Sequence, residues 1–437
     1  MFAEGVVSIS LQFLVLRQIM PYAGSSIITT SIVISIFLLG LAMGYKTGGD
    51  YKGDGLKKFK RNMLMSAIIM GVGLSATVVE LIFLFPKYEG YDMNIFALVS
   101  MYSFTIMFPV VFMLSQTVPL MVNLMTEGTA GEKAGNGISI STIGNIIGGL
   151  ITTLVLMYFF GVAISIVANC LILLLIYLSS EFSFQSLVNA VFIFLMIYLV
   201  NELGSKDNFK KSTQYADYKI INIQNDGKDA KIFVANNSAS STIYKDGTHA
   251  KYIEGIKKKI LDKKDILVLG AGGFTISQDK KPHQNFTYID IDSKIKEYAE
   301  YNFLGGEIKG DFIASDARAF LLSNEKKWDA IVIDVYSNRV SSPAHLMTAE
   351  FYLLVKKSIK ENGVIAINAI INKTFGDKLS LGINDTITQV LGPCYTEKYG
   401  DSNRNNVIYE CYPQKTKIIY SDQNNRNSFD QGIILRE

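Results

Sequence analysis

The sequence contains little cysteine or histidine, and its charge is nearly balanced. Of its 437 residues, three are cysteine and three are histidine. The cysteines are too few and too widely spaced for a disulfide framework or a zinc site. His283 and His345 have no partner pattern for metal binding, and we expect them to be exposed or to cap helices. The net charge of +3, with no dense Lys/Arg stripe, is not typical of a nucleic-acid-binding protein. We therefore expect neither a metal nor a nucleic-acid partner.

Charge is especially scarce in the first 205 residues, which hold nine Lys or Arg and ten Asp or Glu. A helix needs about 20 apolar residues to cross the hydrocarbon layer of a membrane. Stretches of that kind lie near 5–22, 25–45, 62–86, 95–125, 137–160, 161–180 and 183–203. The sequence therefore predicts a multi-pass α-helical membrane domain over residues 1–205, with about seven spans and the lipid bilayer as a partner. We expect no cleavable signal peptide, because the first apolar stretch lacks a basic leader.

Several polar residues interrupt these apolar stretches. The asparagines and glutamines, such as Asn145, are typical of hydrogen bonds between helices, and Gly144 and Gly148 favour close helix packing. Ionisable residues inside lipid are costly and indicate function by default. Arg17 and Glu80 are therefore candidates for a pathway or a site, although neither belongs to a recognisable transport motif.

From residue 206 onward the sequence is typical of an α/β protein. Residues 206–250 predict a small β-rich subdomain, with a hairpin signal at Asn225-Asp226-Gly227. Residues 251–412 then alternate between apolar strand patterns and helical patterns. The predicted strands are 265–269, 286–290, 308–314, 329–334 and 363–368. This alternation predicts a Rossmann-like, doubly wound parallel sheet with its ligand at the carboxyl ends of the strands. We assign no function to the tail, residues 413–437.

Three acids stand at or just after strand ends: Asp290, Asp316 and Asp334. An acid about 20 residues after a glycine turn binds ribose hydroxyls in nucleotide-binding units. The alternative is that each acid only caps the helix that follows it. The glycine turn, 270–273, lacks the third glycine of the dinucleotide pattern. It therefore favours a ligand without phosphate, such as an adenosyl sulfonium, over NAD.

The region from about 212 to 375 resembles the spermidine synthase (polyamine aminopropyltransferase) family. With the preceding apolar stretches, the chain resembles the membrane-fused bacterial branch of that family. The stretches that carry the resemblance are Ile266-Leu-Val-Leu-Gly-Ala-Gly-Gly, Tyr288-Ile-Asp-Ile-Asp292, Ala314-Ser-Asp-Ala-Arg-Ala-Phe320, Trp328-Asp-Ala-Ile-Val-Ile-Asp-Val-Tyr-Ser337 and Pro343-Ala-His-Leu-Met-Thr-Ala-Glu-Phe-Tyr352.

This resemblance implies a role for each matching residue. Asp334 would be the catalytic base. The residues that would bind the adenosyl donor are Gly270, Gly272, Asp290, Asp316 and Ala317, with Asp290 at the ribose and Asp316 and Ala317 at the adenine. The residues that would bind the amine substrate are Tyr252, Tyr336 and Ser337. The implied co-substrate is decarboxylated S-adenosylmethionine, with S-adenosylmethionine itself as the alternative.

The sequence departs from the family pattern at three places. The family has an acid in the glycine turn, where this chain has Gly273. It has a second acid three residues after the catalytic one, where this chain has Ser337. It has a glutamine in the first strand pair, where this chain has Ala216. Because these changes fall on the donor's tail or the amine site, the transferred group is less well specified than the adenosyl donor.

Three functions therefore stay open at this point. The first is a transferase that moves an aminopropyl group to a diamine such as putrescine. The second is a methyltransferase or other transferase that uses S-adenosylmethionine on a membrane-associated substrate. The third is a non-catalytic polyamine transporter or sensor. We expect a multi-pass protein of the cell (inner) membrane, and a homo-oligomer.

The expected orientation depends on two rules that disagree. The basic segment 46–61 should be cytoplasmic by the positive-inside rule. With seven spans, that would place the carboxy-terminal half outside the cell. An adenosyl co-substrate is made in the cytosol, and we therefore expect this half to be cytoplasmic.

Overall fold

The structure is a computed structural model, and it describes residues 1–409 apart from 25, 89–92, 181, 204–209, 226–227, 237, 337–342, 373, 393 and 401–403. The predicted substrate residue Ser337 and the tail 413–437 lie outside the described residues.

The amino-terminal half folds into a bundle of helices. They are α1 (Phe2–Ala23), α2 (Ile27–Gly49), α3 (Gly55–Gly73), α4 (Ala76–Tyr88), α5 (Ile95–Tyr102), α6 (Phe108–Ser115), α7 (Thr117–Leu124), α8 (Ala130–Ile151), α9 (Gly161–Ser180) and α10 (Phe184–Leu203). Wider π-type turns join α5 to α6 over Ser103–Met107 and follow α8 over Thr152–Phe160.

Small residues let α1 and α8 pack closely. A Cβ atom on Gly144 or Gly148 would collide with the carbonyl oxygen of Phe2 or Val6, respectively, so only glycine permits this approach. The hydroxyls of Ser10 and Thr152 are hydrogen-bonded across the same interface, 2.6 Å apart. The glycine-mediated packing predicted from the sequence is therefore present.

Five helical segments in the described ranges are long and apolar enough to cross a membrane, and the pair 55–73 and 76–84, bent by 61°, would make a sixth. One of the five, Ala130–Ser180, has 51 residues. At 1.5 Å per residue it would measure about 75 Å, more than twice the hydrocarbon thickness. The segment reverses at Gly161 (φ 78°). Residues before this point run beside α1 until Gly161 lies next to Ser212, and α9 then returns to Tyr177, whose ring lies 5.2 Å from Nζ of Lys60 near the start of α3. Counting it as two passes gives seven.

The bundle has two distinct ends. At one end lies the basic segment 46–61, within which α3 begins. Nζ of Lys60 there donates to the hydroxyl of Ser186, at the start of α10, over 3.2 Å. At the other end, α3 finishes beside α1, where the carbonyl of Leu74 accepts a hydrogen bond from Gln18. Arg17 also lies at this second end and contacts the carboxy-terminal half. The basic segment and the carboxy-terminal half are therefore at opposite ends of the bundle.

In the described part of the carboxy-terminal half, the strands form two sheets. Their strands are β1 (Lys210–Ser212), β2 (Asp217–Asn225), β3 (Lys228–Ala235), β4 (Ser238–Tyr244), β5 (Asp265–Leu269), β6 (Asn285–Asp290), β7 (Asp311–Ala314), β8 (Trp328–Ile333), β9 (Ile359–Asn372), β10 (Thr396–Tyr399) and β11 (Arg404–Tyr409). The helices between them are α11 (Lys251–Lys259), α12 (Ile295–Tyr298), α13 (Ala317–Ser323), α14 (Ala349–Ser358) and α15 (Lys378–Leu391).

The first sheet is an antiparallel meander in the order β1-β2-β3-β4. Asn225 pairs with Lys228, which is the register that a two-residue hairpin connection requires. The sequence predicted β2 and β3 but not β4, whose run of serines (Ser238-Ala-Ser-Ser241) gives no alternating pattern.

The second sheet has the order β10-β11-β9-β8-β5-β6-β7. Strands β5 to β9 are parallel, as predicted, whereas β11 runs antiparallel to β9 and β10 antiparallel to β11. Buried apolar residues cover both faces, as a doubly wound sheet requires. The strand order reverses between β5 and β8, and in such sheets a ligand binds outside the carboxyl ends of the strands at this point.

Candidate active site

A cavity of about 360 Å³ lies at the carboxyl ends of β5, β6 and β8. Every predicted site residue that the structure describes lines it: Gly270, Gly272, Asp290, Asp316, Ala317, Asp334, Tyr252 and Tyr336. The hairpin subdomain, formed by β1 to β4, also contributes to the wall. One residue of the helical bundle, Met20, reaches the cavity as well.

The glycine turn after β5 brings backbone to the cavity. Gly270 and Gly272 have φ values of 89° and 49°, in the left-handed region that favours glycine. A Cβ atom on Gly270 would collide with the carbonyl oxygen of Asp334. Both positions therefore require glycine, and both leave the backbone open to a close ligand.

The next position in the turn explains one departure from the family pattern. The N–H of Gly273 donates to the hydroxyl of Ser241 over 2.8 Å. A Cβ atom there would lie 2.5 Å from the ring of Phe303. An acidic side chain at position 273 would therefore displace Phe303, and the aromatic ring fills the space that an acid would need.

Asp290 ends β6 and faces the cavity. Its Oδ2 accepts the N–H of Ala271 over 3.0 Å, and its Oδ1 accepts the N–H of Asp292 over 3.0 Å. Burial raises the pKa of Asp290 to about 6, although these N–H groups oppose the rise. The carboxylate is thus held against the glycine turn, where a ribose hydroxyl donor would meet it.

Asp316 performs the capping role that the sequence left as an alternative. Its Oδ1 accepts the N–H groups of Arg318 and Ala319, both over 2.9 Å, at the start of α13. Its Oδ2 lies 2.8 Å from Nε2 of His345. Burial acts to raise the pKa of Asp316, but these hydrogen bonds and the His345 ring outweigh it and hold the pKa below its usual value. Capping and lining the cavity are therefore compatible.

His345 is exposed, as expected from the sequence, and it has a further contact that was not predicted. Its ring pairs with Asp316 and lines the cavity. The sequence could not indicate this pair, because 29 residues separate its members.

Asp334, which directly follows β8, is a third carboxylate that lines the cavity. Its Oδ1 accepts a hydrogen bond of 2.8 Å from the amide of Asn368, and its Oδ2 accepts one of 3.4 Å from the hydroxyl of Tyr252. Burial raises the pKa of Asp334 to about 6, against the lowering effect of these donors. Burial and Asp334 raise the pKa of Tyr252 well above its usual value, so that this phenol stays a donor. At neutral pH the Asp334 carboxylate is therefore ionised and able to accept a proton.

Two residues that contact Asp334 and Asp290 were not predicted from the sequence: Asn368 and Asp292. Asn368 is 5% exposed, and its carbonyl accepts a hydrogen bond of 3.1 Å from Tyr336. Asp292 is buried and accepts the hydroxyls of Thr213 and Tyr218. Asn368 lies in a predicted strand and Asp292 in one of the stretches that carry the family resemblance. A single Asn or Asp in such a segment does not by itself indicate a role in a site.

A second cluster of ionisable groups lies outside the cavity. Single ligand atoms of His249, Glu254 and Asp279 lie within 4.8 Å of one another. Nζ of Lys257 is 2.8 Å from both His249 Nδ1 and Asp279 Oδ2. The ammonium thus takes the place that a metal cation would occupy, and we assign no metal to this cluster.

No family model matches the chain. It is similar to a probable polyamine aminopropyl transferase of Bifidobacterium longum, at 27% identity over 175 residues, which are 39% of this chain and 38% of that relative. It is also similar to polyamine aminopropyltransferase 2 of Aquifex aeolicus, at 23% identity over 35% of this chain and 33% of that relative. The chain thus spans little more than a third of the length of these curated relatives.

Among solved structures, a probable spermidine synthase from Corynebacterium glutamicum aligns at 16% identity and a TM-score of 0.39, over 48% of this chain and 81% of that one. This likeness is too low to bear on the site. Over the part that these comparisons cover, the chain is similar in sequence to curated polyamine aminopropyltransferases.

Proposed function

We propose that this protein is a membrane-bound aminopropyltransferase that moves an aminopropyl group from decarboxylated S-adenosylmethionine to a diamine such as putrescine. One observation supports this most: Asp334 faces the same cavity as Asp290 and Asp316 and is hydrogen-bonded by Tyr252 and Asn368. A base and an adenosyl-type site therefore share one space.

The reaction needs a group that accepts one proton from the attacking amine. The acceptor amine attacks the methylene carbon bonded to the sulfonium, a new C–N bond forms, and the C–S bond breaks. The leaving group is the neutral thioether methylthioadenosine. The amine loses one proton to the Asp334 carboxylate, which passes it to solvent. Holding amine, carbon and sulfur in line supplies much of the remaining acceleration.

The cavity suits a donor without phosphate. Its floor offers the Asp290 carboxylate for ribose hydroxyls and the Asp316–Ala317 segment for an adenine edge. The carboxylates also favour a cationic sulfonium and a cationic amine over anionic ligands. We assign Tyr252 and Tyr336 to the amine, since Tyr252 contacts Asp334 and Tyr336 contacts the backbone of Asn368. Ser337, which follows directly, is assigned with them from the sequence.

We further propose that residues 1–205 lie in the lipid bilayer. Large apolar side chains on the outside of the bundle are exposed, such as Phe184 at 80% and Phe192 at 68%. Contact with lipid is favourable for such apolar side chains, whereas their exposure to water is unfavourable. The homo-oligomer expected from the sequence stays a prediction.

We place the carboxy-terminal half in the cytoplasm, because the adenosyl donor is made there. The basic segment 46–61 lies at the far end of the bundle, so this placement requires an exception to the positive-inside rule. Single cysteines at the exposed sites Tyr301 and Leu56 can be labelled in intact cells with a membrane-impermeant maleimide. We expect Leu56→Cys to react and Tyr301→Cys to react only after lysis. The reverse pattern would refute the cytoplasmic placement.

Product analysis tests the function itself. The full-length protein in detergent or nanodiscs is incubated with decarboxylated S-adenosylmethionine and putrescine, or with S-adenosylmethionine in membrane lipid. We expect methylthioadenosine from the first mixture only. Release of S-adenosylhomocysteine from the second mixture would instead support a methyltransferase. Ligand binding without either product, unchanged in Asp334→Asn, would support a sensor.

A further inference from the structure

We infer that helix α1 of the bundle forms part of the donor pocket and that Arg17 is a positioning residue for it. This inference rests on the proposed adenosyl donor. It concerns how the membrane half takes part in the site, beyond tethering it.

Arg17 of α1 is buried and bonded to the carboxy-terminal half. This side chain is 3% exposed, although it sits in an apolar helix. Its Nε donates to the carbonyl oxygen of Thr213 over 2.8 Å, and its Nη2 donates to Oδ1 of Asp217 over 3.0 Å. Both partners belong to the hairpin subdomain, about 200 residues away in sequence. A buried guanidinium is costly unless paired, and this pairing exists only when the two halves are docked.

The two bonds hold both ends of one short segment, the turn Thr213–Asp217 between β1 and β2. The middle of this turn, Tyr215 and Ala216, lines the cavity. Asp217 is also tied to a second lining residue, since its N–H donates to the side chain of Asn236 over 3.0 Å. Arg17 therefore fixes a segment of the cavity wall rather than a distant surface.

The same turn is also linked to Asp290, the acid assigned to the ribose of the donor. The hydroxyl of Thr213 is hydrogen-bonded to Oδ2 of Asp292. The N–H of Asp292 donates to Asp290, the residue assigned to the ribose. A continuous chain of contacts thus runs from Arg17 through Thr213 and Asp292 to Asp290.

Helix α1 also contributes to the wall directly. Met20 lies about one helical turn after Arg17, and it lines the cavity. A second contact supports the docking: a Cβ atom on Gly161, at the end of α8's π-type extension, would lie only 2.9 Å from the carbonyl oxygen of Ser212. The bundle thus approaches the base of the hairpin at two places.

The wall that results is partly apolar and lies next to the ribose-binding acid. Met20 of α1 lines the same cavity as Tyr215, Ala216 and Asp290, and it closes the pocket on the side of the helical bundle. Loosening α1 should therefore weaken donor binding more than it slows the chemical step.

The test measures binding and turnover on the full-length protein in nanodiscs. Methylthioadenosine and S-adenosylhomocysteine serve as probes in titration calorimetry, and donor KM and kcat are measured separately. The variants are Arg17→Gln, Asp217→Asn and Met20→Ala. The control is Arg61→Gln, which removes an exposed arginine at the other end of the bundle. Asp217→Asn and Met20→Ala keep the Arg17 side chain. Their probe Kd and donor KM therefore test the inference even if Arg17→Gln does not fold.

We expect Arg17→Gln to raise the Kd of the bound probe and the donor KM about tenfold, a change of about 1.4 kcal/mol, with kcat within about twofold. Asp217→Asn and Met20→Ala should give smaller rises, and Arg17→Lys should lie between the wild type and Arg17→Gln. The double variant Arg17→Gln/Asp217→Asn should raise the Kd by less than the sum of the two single effects, since both single variants break the Arg17–Asp217 contact. Simple loss of folded protein would instead lower kcat and leave KM unchanged.

Two results would overturn the inference in different ways. If the wild type binds a probe and Asp290→Asn does not, but Arg17→Gln, Asp217→Asn and Met20→Ala bind as the wild type does, α1 is only a tether. If the wild type binds neither probe, the proposed function fails and the inference fails with it.

Discussion

The hydroxyl of Tyr252 lies 3.4 Å from Oδ2 of Asp334, and both residues line the cavity. Tyr252 comes from the helix before β5, whereas Asp334 directly follows β8. The phenol therefore helps to keep this buried carboxylate ionised, and it lowers the pKa that burial raises.

Tyr252→Phe should shift the pH dependence of transfer. Activity requires ionised Asp334, so it should rise through the pKa of about 6 and level off above it. Without the phenol, the pKa rises and the acidic limb moves to higher pH. We expect kcat/KM to fall about tenfold at pH 6.5 and less at pH 8, measured as a pH–rate profile. The exposed Tyr301→Phe is the matched control; an acidic limb in the same place for all three proteins would contradict the assigned role.

Asp334→Asn should abolish transfer and keep the donor site. Loss of a general base typically costs 10²–10⁴ in rate. We expect a fall in kcat of about 10³ or more, with methylthioadenosine still bound within about threefold. The exposed Asp311→Asn serves as control. Retention of more than a tenth of the activity would exclude Asp334 as the base.

The same substitution should make the protein more stable at neutral pH. A carboxyl whose pKa rises to about 6 on folding prefers to be protonated, so its stabilising effect is lost as pH increases from about 4 to above 6. Asp334→Asn removes this penalty. We expect a higher melting temperature than the wild type at pH 7.5, by a few degrees, and a much smaller difference at pH 4.5. An equal gain at both pH values would show that the charge is not the cause.

Asp316 allows its two roles to be separated. Asp316→Ala removes the cap of α13 and should cost about 1 kcal/mol of stability. Asp316→Asn keeps a capping oxygen and should cost much less, while it gives up the charged contact with His345. Both variants should weaken methylthioadenosine binding, as measured by calorimetry beside thermal unfolding. If only the alanine variant weakens binding, the cap alone matters.

The sequence predicted those parts of the site that local patterns encode. The apolar strand before Gly270 and the strand that ends at Asp290 can each be recognised from a few consecutive residues. The pairing of β5 with β6 then brings the two strand ends together. The bent break between α3 and α4 was not predicted, because residues 62–86 form one predominantly apolar stretch that is long enough for a single span. The antiparallel strands β10 and β11 were also missed, since polar residues of β11, such as Asn405 and Asn406, hide the strand pattern.

Contacts between distant segments lay beyond the sequence. Arg17 was a candidate functional residue because it is charged within an apolar stretch, but nothing in the sequence indicated Asp217 as its partner. Asn368 was the last residue of a predicted strand, and only the pairing of β8 with β9 brings it to Asp334. These relationships depend on tertiary structure, not on spacing.

The most direct test of the account is the stoichiometry of the reaction. Purified full-length protein is mixed with decarboxylated S-adenosylmethionine and putrescine, and both products are quantified by mass spectrometry. We predict methylthioadenosine and an amine extended by one aminopropyl group in a 1:1 ratio, and formation of both products slower by about 10³-fold or more with Asp334→Asn. No extended amine from the wild type with any diamine, or more than a tenth of the wild-type rate with Asp334→Asn, would contradict the proposed function.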